Sequence, residues 1–211
     1  MILIGQFDSP YVRRVGIALE LYGLAYEHRP WSTFGDADKL AAINPLIRVP
    51  TLVCDDGVAL VETLAILDAI DEQAPADKLL IAPNGQKRRD TLRICALAAG
   101  ISDKAVALFY EEKFHDAPNP AFAARLETQI RNTLGKLEAE RAAINATWWL
   151  GESLTHADIA AGACLRHLAE SYQGRYPLAG WPALARHSER CEALPVFQKI
   201  YQPFIFTGAK S

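Results

Sequence analysis

Every strand signal in this chain lies before residue 62. The apolar runs Ile2–Ile4, Val49–Cys54 and Val58–Val61 fall there, as does the period-two segment Ala25–Arg29, which Pro30 ends. Beyond that point the apolar residues step by threes and fours and never return to alternation. The chain is therefore expected to fold as a small α/β unit followed by an all-helical one.

Between Ile2–Ile4 and a segment with Val12, Val15, Ala18, Leu19 and Tyr22 at helical spacing lies Gln6-Phe7-Asp8-Ser9-Pro10-Tyr11. This reads as a strand-to-helix turn, with Ser9 as N-cap and Pro10 as first helical residue, because a serine hydroxyl accepts from an orphan N–H and proline has none to leave unpaired. A helix start also attracts anions through its free N–H groups and the positive end of its dipole. Ser9 is thus either a plain cap or part of an anion site, and the turn alone does not decide.

Lys39–Ile43 reads as a short helical turn ended by Asn44-Pro45. Val49–Cys54 and Val58–Val61, joined by Asp55-Asp56-Gly57, form a hairpin signal, and Glu62-Thr63 opens a further helix. Strand, helix, strand, helix, strand, strand, helix is the order of a thioredoxin-like fold. The boundaries are expected at 1–76 for this domain, 77–85 for a linker containing Pro83, Asn84 and Gly85, and 86–211 for an all-helical C-terminal domain. Helices are expected over 86–112 and 121–144. A third begins with Thr155 as cap, Asp158 completing a capping box and Leu154 with Ile159 as a hydrophobic staple, which gives Asp158 a structural role. Pro182 and Pro195 start two shorter helices, and a tail, Gln202–Thr207, follows.

A net charge of −3 without a basic run offers nucleic acid no electrostatic footprint. No apolar run is long enough to span a bilayer and no signal peptide is evident, so a soluble, cytoplasmic protein is expected. Cys54, Cys95, Cys164 and Cys191 are scattered, as are the five histidines, which favours neither a disulfide framework nor a metal site.

Three junctions of the first domain could converge, since open α/β sheets bind ligands at strand ends: Ser9, Val49-Pro50 and Glu62-Thr63. An X–Pro bond is cis only about one time in twenty, which favours an ordinary trans turn at Val49-Pro50; a cis bond would free the Val49 backbone groups for an extended peptide-like ligand. Glu62-Thr63 either complements a helix dipole or grips a ligand. Arg48 is either solvated or a partner for a carboxylate.

Taken in order, Ser9-Pro10-Tyr11-Val12-Arg13, Asn44-Pro45, Arg48-Val49-Pro50-Thr51-Leu52, Glu62-Thr63 with Ala65-Ile66, and Thr155-His156-Ala157-Asp158 resemble a cytosolic glutathione transferase, of a bacterial, serine-type kind, over essentially the whole chain. The resemblance implies glutathione as co-substrate and no metal. Ser9 would stabilise the glutathione thiolate, Val49 would pair with the cysteinyl backbone next to a cis Pro50, Glu62 and Thr63 would hold the γ-glutamyl end, and Arg48 the glycyl carboxylate. It further implies a homodimer and an electrophilic small molecule as second substrate, for whose pocket Phe7, Tyr11, Phe109, Tyr110, Phe114, Phe204 and Phe206 are candidates.

Two departures qualify the resemblance. Ile47-Arg48 stands where the family often has Gly-Lys, and Thr63 where it often has serine; charge and hydroxyl are kept. Ser9 in place of cysteine disfavours a thiol-exchange reductase, since a hydroxyl forms no mixed disulfide. Asp8-Ser9-Pro10-Tyr11 also lacks the Ser-Ser-Cys run usual in the maleylacetoacetate-isomerising branch. Two other readings stand beside conjugation: a non-catalytic interaction protein that has kept the fold, and a glutathione-dependent peroxidase or reductase side activity.

Overall fold

The computed structural model describes residues 1–206; Thr207 and the remainder of the expected 86–211 domain lie outside the described residues. The first part comprises β1 (Ile2–Ile4), α1 (Pro10–Tyr22), β2 (Glu27–Arg29), α2 (Ala37–Ala41), β3 (Thr51–Val53), β4 (Ala59–Val61) and α3 (Thr63–Asp71). The strands form one mixed sheet in the order β2-β1-β3-β4, with β1 parallel to β2 and antiparallel to β3. The expected second strand shortens to Glu27–Arg29 because three-residue β1 offers partners to those residues alone. The hairpin forms as its turn chemistry demands, Gly57 taking a φ of 86°.

The helical part comprises α4 (Gly85–Phe114), α5 (Pro120–Ala142), α6 (His156–Ser171), α7 (Pro182–Glu192) and α8 (Pro195–Lys199). α5 starts one residue before the expected 121 because Asn119 caps it, its Oδ1 accepting from the Ala121 and Phe122 N–H groups at 3.0 and 3.1 Å. At the start of α6, fully buried Asp158 accepts at 2.8 Å from the Thr155 N–H and hydroxyl and at 2.7 Å from the Trp149 N–H, tying the Trp148–Gly151 turn to the helix.

The two parts share a core. Val12, Val15, Ile17 and Leu19 of α1 pack with Leu3, Leu52 and Ile66 and, from the helical part, with Ile159, Cys191, Phe197 and Ile200. Arg13 reaches the same seam, pairing with Glu192 at 2.7 Å and donating to the Phe197 and Ile200 carbonyls at 2.9 and 2.8 Å. Helix α1 is thus held on both sides, and its N-terminus is a rigid place for chemistry. The 77–85 segment is pinned as well: Leu80 and Ile81 are buried, the Leu80 N–H donates to the Tyr22 hydroxyl, and its carbonyl accepts from the His156 N–H.

Candidate functional site

Ser9 caps α1 as the sequence demands. Its Oγ accepts from the Tyr11 and Val12 N–H groups at 3.3 and 3.4 Å, and Pro10 is the first helical residue. An oxygen that accepts two N–H bonds has committed its lone pairs, so its own proton is free to donate outward. Gly5, at φ 130°, lets the neighbouring loop close on this turn: a Cβ there would stand 2.5 Å from Val12 and 2.8 Å from Val49. The Val49–Pro50 peptide is cis. Asn44 fastens the same loop, its amide donating to the Arg48 carbonyl at 3.1 Å and to the Thr51 hydroxyl at 3.0 Å.

This turn opens on a cavity of about 890 Å³ between the two parts. Ser9, Tyr11, Arg48 and Val49 line one side; Phe109, Tyr110, Phe204 and Phe206 line the other, with Trp31 and Phe34 at the loop after β2. The rings engage edge to face, Phe109 with Phe206 at 4.9 Å and Phe34 with Tyr110 at 5.8 Å between centroids. The tail that carries Phe204 and Phe206 is anchored by the Phe204 N–H, which donates to Glu170 at 3.0 Å.

Not every expected residue reaches the cavity. Phe7 points away from it and stacks on His28, ring centroids 3.9 Å apart, because Gly16 leaves a gap on α1 that its ring fills. Phe114 touches the cavity only through its contacts with Phe34, Tyr110 and Phe206. Pro50, Glu62 and Thr63 stand behind the lining: Thr63 is buried at the first turn of α3, and Glu62 Oε1 pairs with Arg48 Nη1 at 2.6 Å.

Sequence reading missed three ionisable groups on the wall, Asp8, Asp103 and His167. Asp103 accepts from the Tyr11 hydroxyl at 2.5 Å. Burial, with the Asp103 contact next, pushes the Tyr11 phenol up, so it stays a neutral donor. Burial raises the Asp8 carboxyl to about 6, with the charge of Glu170 adding to it. Burial lowers His167 to about 4, leaving a neutral ring whose Nδ1 lies 3.2 Å from the Asp8 carbonyl. No local signal marks Asp103 or His167; each sits on an amphipathic helix like any other polar residue. Among the described residues no group of three or more His, Cys, Asp or Glu is gathered as a metal would need, and no helix is long and apolar enough to cross a membrane.

Residues 3–78 match the model of the glutathione S-transferase N-terminal domain, and residues 120–190 that of the glutathione S-transferase C-terminal domain. Maleylacetoacetate isomerase of Mus musculus is 27% identical over 93% of this chain and 90% of its own, and glutathione S-transferase Z1 of Arabidopsis thaliana is 29% identical over 93% and 89%. Among solved structures, a glutathione S-transferase of Methylobacterium radiotolerans in complex with glutathione sulfonate superposes with a TM-score of 0.90, at 29% identity, covering 100% of this chain and 98% of that one. One from Methylobacillus flagellatus with glutathione bound gives 0.88 at 25% identity, covering 94% and 98%. Fold and matches together define a two-domain, thioredoxin-like enzyme of the glutathione-using class. The chain belongs to the glutathione S-transferase family, and its activity is of the glutathione transferase type.

Proposed function

We propose that this protein joins the thiolate of glutathione to an electrophilic small molecule, with the Ser9 hydroxyl stabilising the thiolate. The observation that carries this is the hydrogen-bonding state of Ser9, whose oxygen accepts from two α1 N–H groups and so has its proton left to give. A free thiol has a pKa of about 8.5 and reacts as the anion. A hydrogen bond to a charged group contributes roughly 1.5–3 kcal/mol, equivalent to about one to two pKa units, and the positive end of α1 adds to it. The sulfur then attacks the electrophilic carbon, a C–S bond forms, and the leaving group departs with its electron pair. Ser9 forms no covalent bond in this scheme.

The tripeptide lies along the Arg48–Val49 edge, with the Val49 backbone pairing to its cysteinyl unit, Arg48 taking the glycyl carboxylate, and Glu62 with Thr63 the γ-glutamyl end. The acceptor occupies the aromatic half between Tyr11, Tyr110 and Phe204. The working form is a cytoplasmic homodimer; sedimentation at micromolar concentration tests the assembly, and a clean monomer counts against it.

A second reading, isomerisation of maleylacetoacetate, is favoured by the names of relatives such as the mouse enzyme. Against it stand the absent Ser-Ser-Cys run and the carboxylates of Asp8 and Asp103 in the acceptor half, where a dicarboxylate would have to sit.

Calorimetry with glutathione, paired with the ultraviolet absorbance of the bound thiolate across pH, tests the primary reading. Binding with a lowered thiol pKa supports it. No binding at millimolar glutathione sinks it and moves the weight to an interaction protein that has only kept the fold.

A further inference from the structure

The acceptor half of the cavity has a definite charge. Two carboxylates line it, Asp8 beside Ser9 and Asp103 across from it on α4. Asp103 is held in place by the Tyr11 hydroxyl at 2.5 Å, so it cannot swing out of the cavity without breaking that bond. Among the described residues the lining cation is Arg48, and Glu62 already pairs with it at 2.6 Å. The other candidate, His167, is buried and neutral near pH 7. Lys113 lies 5.9 Å from the Phe109 ring centroid but does not line the cavity. The remaining wall carries six rings, those of Trp31, Phe34, Phe109, Tyr110 and two phenylalanines of the tail, set among aliphatic and uncharged polar side chains.

We infer that Asp8 and Asp103 select the acceptor by charge, admitting uncharged or cationic aromatic electrophiles and excluding anionic ones. Like charges a few ångströms apart in a partly desolvated site repel strongly, and among the described residues no unpaired cation lines the cavity to offset them. Bound thiolate adds a third negative charge to the same space. Ring faces, by contrast, attract a cation through their quadrupoles. At pH 7 Asp8 is mainly ionised, since burial raises it only to about 6.

The inference names the substrate class of the site proposed above and rests on that reading for its kinetic arm. The experiment uses three benzyl chlorides that differ at the para position, carrying a trimethylammonium group, a methyl ester or a carboxylate. Glutathione conjugation is followed at pH 7.5, and each kcat/KM is divided by the uncatalysed rate of that compound. The cation is expected to exceed the anion at least tenfold. In the double variant Asp8→Asn/Asp103→Asn that ratio should fall to within about threefold, a change that a general loss of activity would not produce. A wild-type ratio near one, or a ratio unchanged in the variant, overturns the inference. A second arm needs no chemistry: calorimetric Kd values for benzyltrimethylammonium and benzoate, where equal or tighter binding of benzoate also overturns it. Absent conjugation of all three chlorides, with the cation still bound more tightly than the anion, would refute the transferase reading while upholding charge selection.

Discussion

Arg48 Nη1 and Glu62 Oε1 lie 2.6 Å apart, although the two residues are proposed to hold opposite ends of a tripeptide. In the proposed mode the tripeptide competes with this pair for the same charged groups. More than half of each side chain is exposed, and an exposed pair contributes at most about 1 kcal/mol to stability. Arg48→Ala and Glu62→Gln should therefore leave the melting temperature nearly unchanged. Each should weaken glutathione binding by ~10- to 100-fold, the value of a charge-assisted hydrogen bond, as read by calorimetry.

Glu62 also carries a strained backbone, with φ 71° and ψ 128° at the N-cap of α3. Such a residue costs on the order of 1–3 kcal/mol relative to a relaxed one, and glycine adopts positive φ freely. Glu62→Gly should raise stability in chemical denaturation by ~1 kcal/mol while removing the proposed ligand contact. A variant that is both less stable and still binds glutathione at full strength would show that the strain serves packing alone.

Ser9 caps α1 and is proposed to donate to the glutathione sulfur, and substitution separates the two. Ser9→Ala loses a cap, costing about 1 kcal/mol, whereas Ser9→Gly costs only a few tenths there. Neither can donate to a sulfur. Both should lower turnover at pH 7 by at least tenfold and move the pH–rate profile upward by about one to two units, so that activity partly returns near pH 9. An unmoved profile would take the hydroxyl out of the mechanism.

Asp71 Oδ1 accepts from the Tyr22 hydroxyl at 2.5 Å and lies 2.8 Å from His156 Nε2, joining α1, α3 and the start of α6. Asp71→Ala removes the acceptor of the Tyr22 hydroxyl and the carboxylate partner of His156 Nε2, and should destabilise the protein by ~3 kcal/mol in a urea titration, with Asp71→Asn costing less because an acceptor remains.

His187 is fully buried, and its ring is pushed down to about 4, first by burial and then by Arg141, whose Nε lies 3.4 Å from Nδ1. The unfolded ring takes up its proton near 6.5, well before the folded one does. Its stabilising contribution is therefore full above about pH 6.5 and is lost as pH falls through 4. Half-buried Asp8, raised in the folded state, opposes this by favouring the folded form as it protonates. The comparison that isolates His187 is wild type against His187→Gln: between pH 6.5 and 4 the variant should lose ~3 kcal/mol less stability. Parallel curves would mean that the ring titrates normally.

Local chemistry determined much of this protein from sequence alone. Where one short-range rule governs, the residues announced the outcome: Ser9-Pro10 for the start of α1, Asp55-Asp56-Gly57 for the hairpin, and Thr155 with Asp158 for the start of α6. The split into an α/β unit and a helical one followed from where period two stops. Tertiary structure decided what those elements face. Phe7 and Tyr11 flank Ser9 almost symmetrically in sequence, yet Gly16 draws Phe7 onto His28 while Tyr11 turns to Asp103. Asp103 and His167 lie far along the chain, on helices whose periodicity fixes which residues share a face but not which neighbour that face meets. The cavity's charge arises where α1, α4, α6 and the tail come together, and only packing brings those surfaces within reach of one another.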